Sequence, residues 1–149
     1  MSAREFFTQE ERAEIENAIS EAEKVTSGEI RVHLENTCDE KILDHTSWIF
    51  EELEMHATEK RNGVLIYMAV EDKTFAIIGD AGINELVPAD FWENIKDEMR
   101  AAFKQDRFKE GLLEAVNSIG IDLKVHFPIQ EDDENELPNA ISLGDDEQE

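Results

Sequence analysis

Residues 64–70, VLIYMAV, constrain the fold of this chain more than any other stretch. Every position is apolar, so a strand here has no face to offer to water. It must lie centrally in a sheet covered on both sides. Glu71-Asp72-Lys73 follows as a short turn, and Thr74-Phe75-Ala76-Ile77-Ile78 reads as the next strand. A turn that short joins only an antiparallel pair.

The flanking segments supply the covering layers. Thr8 and Glu11 have capping-box spacing, with Phe7 placed as a hydrophobic staple. Ile15, Ala18, Ile19, Ala22 and Val25 then mark one face of a helix, and Gly28 is expected to cap its end. In EIRVHLE, residues 29–35, Ile30, Val32 and Leu34 alternate with polar residues, the pattern of a strand with one face in the core. Residues 40–60 return to helical spacing through Ile42, Ile49, Phe50, Leu53 and Ala57, until Asn62-Gly63 breaks the chain. The first two strands are therefore joined through a helix, which predicts a parallel pair with a right-handed crossover. Pro88 suits a first helical turn. Beyond it, Trp92, Ile95, Met99, Ala102 and Phe103 define the inner face of one helix. Leu112, Val116, Ile119 and Leu123 define that of another, over about 107–126. The expectation is an α/β fold: a three-layer α/β/α sandwich, Rossmann-like, with a small mixed sheet of about four strands.

The domain is expected to span residues 1–126. Residues 127–143 would form an acidic loop followed by an edge strand using Leu137, Ile141 and Leu143, and residues 144–149 a disordered tail. The alternative is that the whole acidic end is solvated.

Charge bounds the function. The 149 residues include 37 acids and 14 bases, for a net charge of −23. Such a surface repels phosphate backbones and anionic lipids, so neither nucleic acid nor membrane is an expected partner. Cations are the natural counter-partners, although acidity can serve solubility alone. The N-terminal MSAREFFTQEER lacks the apolar stretch of a signal peptide, and no apolar run is long enough to span a bilayer. A cytoplasmic, monomeric protein is expected. A single cysteine, Cys38, leaves no internal disulfide and no cysteine-based zinc cluster.

Motifs for nucleotide binding, zinc hydrolysis and serine catalysis are absent from the sequence. His33, His45, His56 and His126 are scattered along the chain and read as structural or exposed. His33-Leu34-Glu35 begins like a zinc deaminase motif, but no CxxC follows it. What remains is oxygen ligands on loops, a donor set that suits Ca²⁺ or Mg²⁺. GDAGINE, residues 79–85, offers Asp80, Asn84 and Glu85. DDENE, residues 132–136, offers Asp132, Asp133, Asn135 and Glu136, with Glu134 among them. With the third strand antiparallel to the second, Asp80 falls at the same sheet end as Glu29, which opens the first strand. Carboxylates held close repel unless a proton or metal intervenes. The expected ligand set is therefore Glu29, Asp80, Asn84, Glu85, Asp132, Asp133, Asn135 and Glu136, for one or two ions. Asp80 can equally be a turn or cap side chain, and DDENE a solvated run. Asp90 reads as a helix-start residue, and Asp72 as a turn residue at the far sheet end.

The stretches SGEIRVHLE, NGVLIYMAVEDKTFAIIGDAGIN, the FW that opens the next helix, and FKEGLLEAVNSIG together resemble the TPM domain family over roughly residues 8–126. The ending HFP…DDENELPNAIS resembles a soluble, stand-alone bacterial branch. The resemblance implies an α/β/α sandwich and divalent-metal binding near the loop after the third strand. Some plant members of the family are described as acid phosphatases. Many members carry a signal peptide and a transmembrane helix, and this chain shows neither pattern. Three functions follow as expectations: a metal-ordered regulatory module, a metal-assisted acid phosphatase, and a protein-interaction domain whose metal is incidental. No catalytic residue is assigned.

Overall fold

The computed structural model describes residues 2–129 and 139–144. The expected DDENE ligands and the tail 145–149 lie outside the described residues.

The elements follow in the order α1 (Ala3–Phe6), α2 (Gln9–Glu23), β1 (Glu29–Glu35), α3 (Ile42–Glu52), a 3₁₀ turn (Met55–Ala57), β2 (Gly63–Ala69), β3 (Thr74–Gly79), α4 (Ala81–Asn84), α5 (Phe91–Lys104), α6 (Phe108–His126) and β4 (Ser142–Leu143). The sheet order is β3-β2-β1-β4. β1 runs parallel to β2, and β2 pairs antiparallel with β3. β4 adds a short parallel edge to β1, with His33 opposite Ser142.

Every residue of β2 is buried because its two faces belong to different cores. Val64, Ile66 and Met68 meet Ile15 and Ile19 of α2, Ile95 and Met99 of α5, and Leu112 and Val116 of α6. Leu65, Tyr67 and Ala69 meet Ile49 and Phe50 of α3 and Met55 of the 3₁₀ turn. The period-2 alternation of one strand thus separates a thick helical layer from a thin one, giving an α/β/α sandwich around a mixed four-stranded sheet.

α2 opens with the full capping box: Thr8 Oγ1 accepts from the Glu11 amide at 3.0 Å, and Glu11 accepts from the Thr8 amide at 2.9 Å. Three expectations change. Gly28 is not a left-handed cap, since no glycine has positive φ. It gives room to α6 instead, because a Cβ there would lie 2.8 Å from Leu123 Cδ1. Val25 does not join the inner face; it lies beyond α2 and is 39% exposed. The helical pattern of residues 40–60 divides after Glu52, where Glu54 takes a left-handed φ of 57° and starts the 3₁₀ turn.

Candidate functional site

The rim at the start of β1 and β2 carries the expected acidic positions. Glu29 donates its backbone N–H to the Asn62 carbonyl at 3.2 Å, and Asp80 donates its own to the Gly63 carbonyl at 2.9 Å. Both therefore reach one sheet end. β2 lies between them, which sets their backbones two strand spacings apart, about 10 Å.

The segment after β3 is not a plain loop. It folds at once into α4, and Asp80 caps that helix, its Oδ1 accepting from the Ala81 amide at 2.7 Å. Arg61 clasps the same carboxylate, with Nε 2.7 Å from Oδ2 and Nη2 2.8 Å from Oδ1. This is a bidentate, charge-assisted pair on a carboxylate that is 6% exposed. Gly82 lets the two segments meet: its N–H bonds the Arg61 carbonyl at 2.9 Å, and a Cβ there would lie 2.2 Å from the Lys60 carbonyl oxygen. Asn84 is also engaged. Its Nδ2 donates to the Gly79 carbonyl at 2.8 Å, and its Oδ1 accepts from Trp92 Nε1 at 2.9 Å. Glu85 is exposed at the end of α4. In this arrangement, then, Asp80 and Asn84 fasten the loop. Among the described residues, no three His, Cys, Asp or Glu side chains are grouped to hold a metal ion.

The rim has members that spacing in the sequence did not indicate. Glu23, from the last turn of α2, accepts the Ile30 amide at 2.8 Å and so caps the free edge of β1. Burial pushes its carboxyl up to about 8, the Ile30 hydrogen bond opposes this, and the neighbouring Glu29 charge adds to it. Asn62 is 1% exposed and donates to Ser27 Oγ at 3.3 Å. Among the described residues, Glu23 Oε1 and Asn62 Oδ1 are buried without a hydrogen-bond partner. Beside Asp80, a cleft of about 450 Å³ opens between α3 and β3, lined by Arg61, His56, Trp48, Asp44 and Glu51 among others.

A second polar cluster lies on the α3 face at the other end of β1. Glu35 accepts from Tyr67 Oη at 2.7 Å and faces His45 Nε2 at 2.6 Å and His33 Nε2 at 3.0 Å. Burial alone would raise the Glu35 carboxyl, but the hydrogen bonds from His33, Tyr67 and His45 outweigh it and hold the group down at about 2. A carboxylate only accepts, so both Nε2 atoms carry protons. His33 Nδ1, 2.8 Å from Ser142 Oγ, ties β4 into the cluster. His45 Nδ1 faces Glu40 at 2.9 Å. Flanked by two carboxylates, His45 is raised above its ordinary value despite burial. Tyr67 is raised by burial and by Glu35. Two of the four histidines are thus partners in one half-buried network. His33 and Glu35 share a strand face, and His33 stands opposite Tyr67 in the sheet register.

These features define an α/β domain whose mixed sheet carries an acidic rim at one end and a half-buried carboxylate–histidine cluster at the other. The TPM domain model matches residues 2–121, and the chain belongs to that family. The BA42 protein of the psychrophilic bacterium Bizionia argentinensis, solved by NMR, is 50% identical, with a TM-score of 0.89 over 94% of this chain and 97% of that one. The N-terminal domain of a P. gingivalis protein has a TM-score of 0.67 at 16% identity, covering 83% of this chain and 80% of that one. The N-terminal domain of the Corynebacterium glutamicum cg2496 protein has a TM-score of 0.63 at 14% identity, covering 78% and 74%. The last two show the shared fold alone. No curated protein matches the chain. Among the described residues, no helix is long and apolar enough to cross a membrane.

Proposed function

We propose that this TPM domain binds a divalent cation, Ca²⁺ or Mg²⁺, at the acidic rim, and that occupancy orders the neighbouring acidic segments as a regulatory module. One observation carries the reading. Among the described residues, Glu23 Oε1 and Asn62 Oδ1 are buried without partners, and both residues adjoin Glu29. Unmatched buried oxygens beside a second carboxylate are a donor set for a hard cation, and an ion there would compensate their desolvation. Glu23, Glu29 and Asn62 would hold the ion, joined by Asp132, Asp133, Asn135 and Glu136. Asp80 enters this set only by giving up Arg61, and Asn84 and Glu85 follow it. A bound divalent ion would supply positive charge that neutralises the crowded carboxylates.

The test is calcium titration of the chelator-stripped full chain, followed by amide NMR. Saturable shifts at residues 23–30 and 62–63 are expected, weakened at least tenfold by Glu29→Gln and unchanged by Asp72→Asn. Shifts spread evenly over the acidic surface without saturation would sink the reading.

A metal-assisted acid phosphatase is the second reading, and Arg61 favours it. A phosphoryl group needs positive charge beyond a metal, and the Arg61 guanidinium, paired with Asp80, lines the cleft beside it. Turnover of p-nitrophenyl phosphate by the calcium- or magnesium-loaded chain, abolished by Arg61→Ala, would support it. No turnover in either form would remove it.

A further inference from the structure

In a chain with 37 acids and 14 bases, a cavity with three cations in its lining stands out. One of about 340 Å³ lies between the β2–β3 turn and the junction of α5 and α6. It sits at the opposite end of β2 from Asn62 and Asp80, so it is independent of the proposed metal rim. Lys73, Arg100 and Lys104 line it, against one carboxylate, Asp106. Arg100 is already paired, 2.7 Å from Asp97. Neither lysine has an ion-pair partner within 4.0 Å among the described residues.

The rest of the lining is aromatic. Phe75 and Phe103 meet edge to face at 5.3 Å between centroids, and Phe103 lies 5.0 Å from Phe108. The Arg100 guanidinium carbon sits 5.8 Å from the Phe75 centroid. The wall is positioned by its surroundings: a Cβ at Gly111 would lie 2.7 Å from Phe103 Cε1. Lys73 and Asp106 both hold left-handed backbone, with φ of 56° and 59°. Such conformations are held at a cost and gather where a side chain must be placed.

We propose that this cavity binds a small aromatic anion, a single ring carrying a phosphate, phosphonate or carboxylate. The ring packs on Phe75 and Phe103, and the anionic group lies among Lys73, Arg100 and Lys104. The three rings are partly buried against the main core, and they line the cavity together with the three cations. A volume near 340 Å³ is at the small end of ligand pockets, which suits one ring and its substituent. Phe108 opens α6, whose N-terminal end adds partial positive charge on the same wall. The surrounding acidic surface repels extended polyanions, whereas a small ligand inside the cavity lies nearest three cations and one carboxylate.

The experiment is an amide NMR titration of the full chain with phenylphosphonate, whose P–C bond resists hydrolysis by any phosphatase activity. Saturable shifts at residues 73–75 and 100–108 are expected. Methylphosphonate, which lacks the ring, should bind at least tenfold more weakly. The exposed pair Lys73→Gln and Lys104→Gln, combined, should weaken phenylphosphonate at least tenfold while shifts elsewhere keep the wild-type spectrum. The proposal is overturned by any of three results: no saturable shifts at the cavity, equal binding of methylphosphonate, or wild-type affinity in the double variant.

Discussion

Glu35 shows how one half-buried charge can organise three elements. Its two oxygens receive a tyrosine and two histidines, from β1, β2 and α3, and His33 passes the link on to β4. The signs of its pH dependence follow from the shifts. Glu35 is held at about 2, below its ordinary 4.5. Its contribution is therefore complete above 4.5 and is lost as pH falls toward 2. His45 is raised above 6.5, so its contribution is complete below 6.5 and is lost as pH climbs through its folded value. Both are present together between about 4.5 and 6.5. Glu35→Gln replaces a charged acceptor with a neutral one and should cost about 1–3 kcal/mol at pH 6. It should also flatten the acid limb of stability between pH 4.5 and 2. Urea unfolding at pH 3, 6 and 8 measures both, and parallel profiles for variant and wild type would remove Glu35 from its central role.

At the scale of elements, the break after α3 is the clearest test of local strain. Glu54 takes φ 57° between α3 and the 3₁₀ turn, a conformation that costs a side-chain-bearing residue about 1–2 kcal/mol. Glu54→Gly should release part of that cost and stabilise the domain by about 0.5–1 kcal/mol, after the added freedom of an unfolded glycine is deducted. A lower midpoint in thermal unfolding would show that the Glu54 side chain has a role of its own. The same element shows what sequence pattern could and could not tell. Apolar periodicity located β1, β2, β3, α2, α5 and α6, because burial on one face or two leaves a period in the residues. It ran through Leu53 and Ala57 without a mark, since nothing in their spacing encodes the backbone sign at Glu54. α4 was hidden for a related reason: Gly, Asn and Asp read as turn formers, and only Asp80 as its cap reveals four residues of helix. Carriage of Glu29 and Asp80 to one rim followed from strand direction alone. The partners Arg61, Glu23 and Asn62 did not, because they come from turns and helix ends whose side-chain directions are set by packing. His33 read only as structural or exposed, because its place in a network with Glu35 and Tyr67 depends on the strand face and the sheet register.

For the whole molecule, a net charge of −23 makes self-repulsion a standing opponent of the compact state. Two kinds of relief are physically distinct. Sodium chloride screens all exposed acids, while a divalent ion held by specific oxygens acts beyond screening. Thermal unfolding in sodium chloride and in calcium chloride at matched ionic strength separates them, and a larger midpoint shift in calcium is expected. Glu23 gives this comparison its sharpest form. Because its folded value is raised to about 8, the native state keeps a proton that the unfolded chain has lost above 4.5. Stability therefore falls as pH rises from 4.5 to 8. Glu23→Gln removes that penalty and should raise the midpoint at pH 8 in sodium chloride by a few degrees, in line with about 1 kcal/mol or more. The same change takes away a proposed ligand, so it should shrink the extra stabilisation by calcium. One substitution then raises the midpoint in sodium chloride and narrows the difference between the two salts. If calcium and sodium protect wild type and variant alike, the rim carboxylates are only part of a diffuse charge, and Glu23 is stabilised by its proton alone.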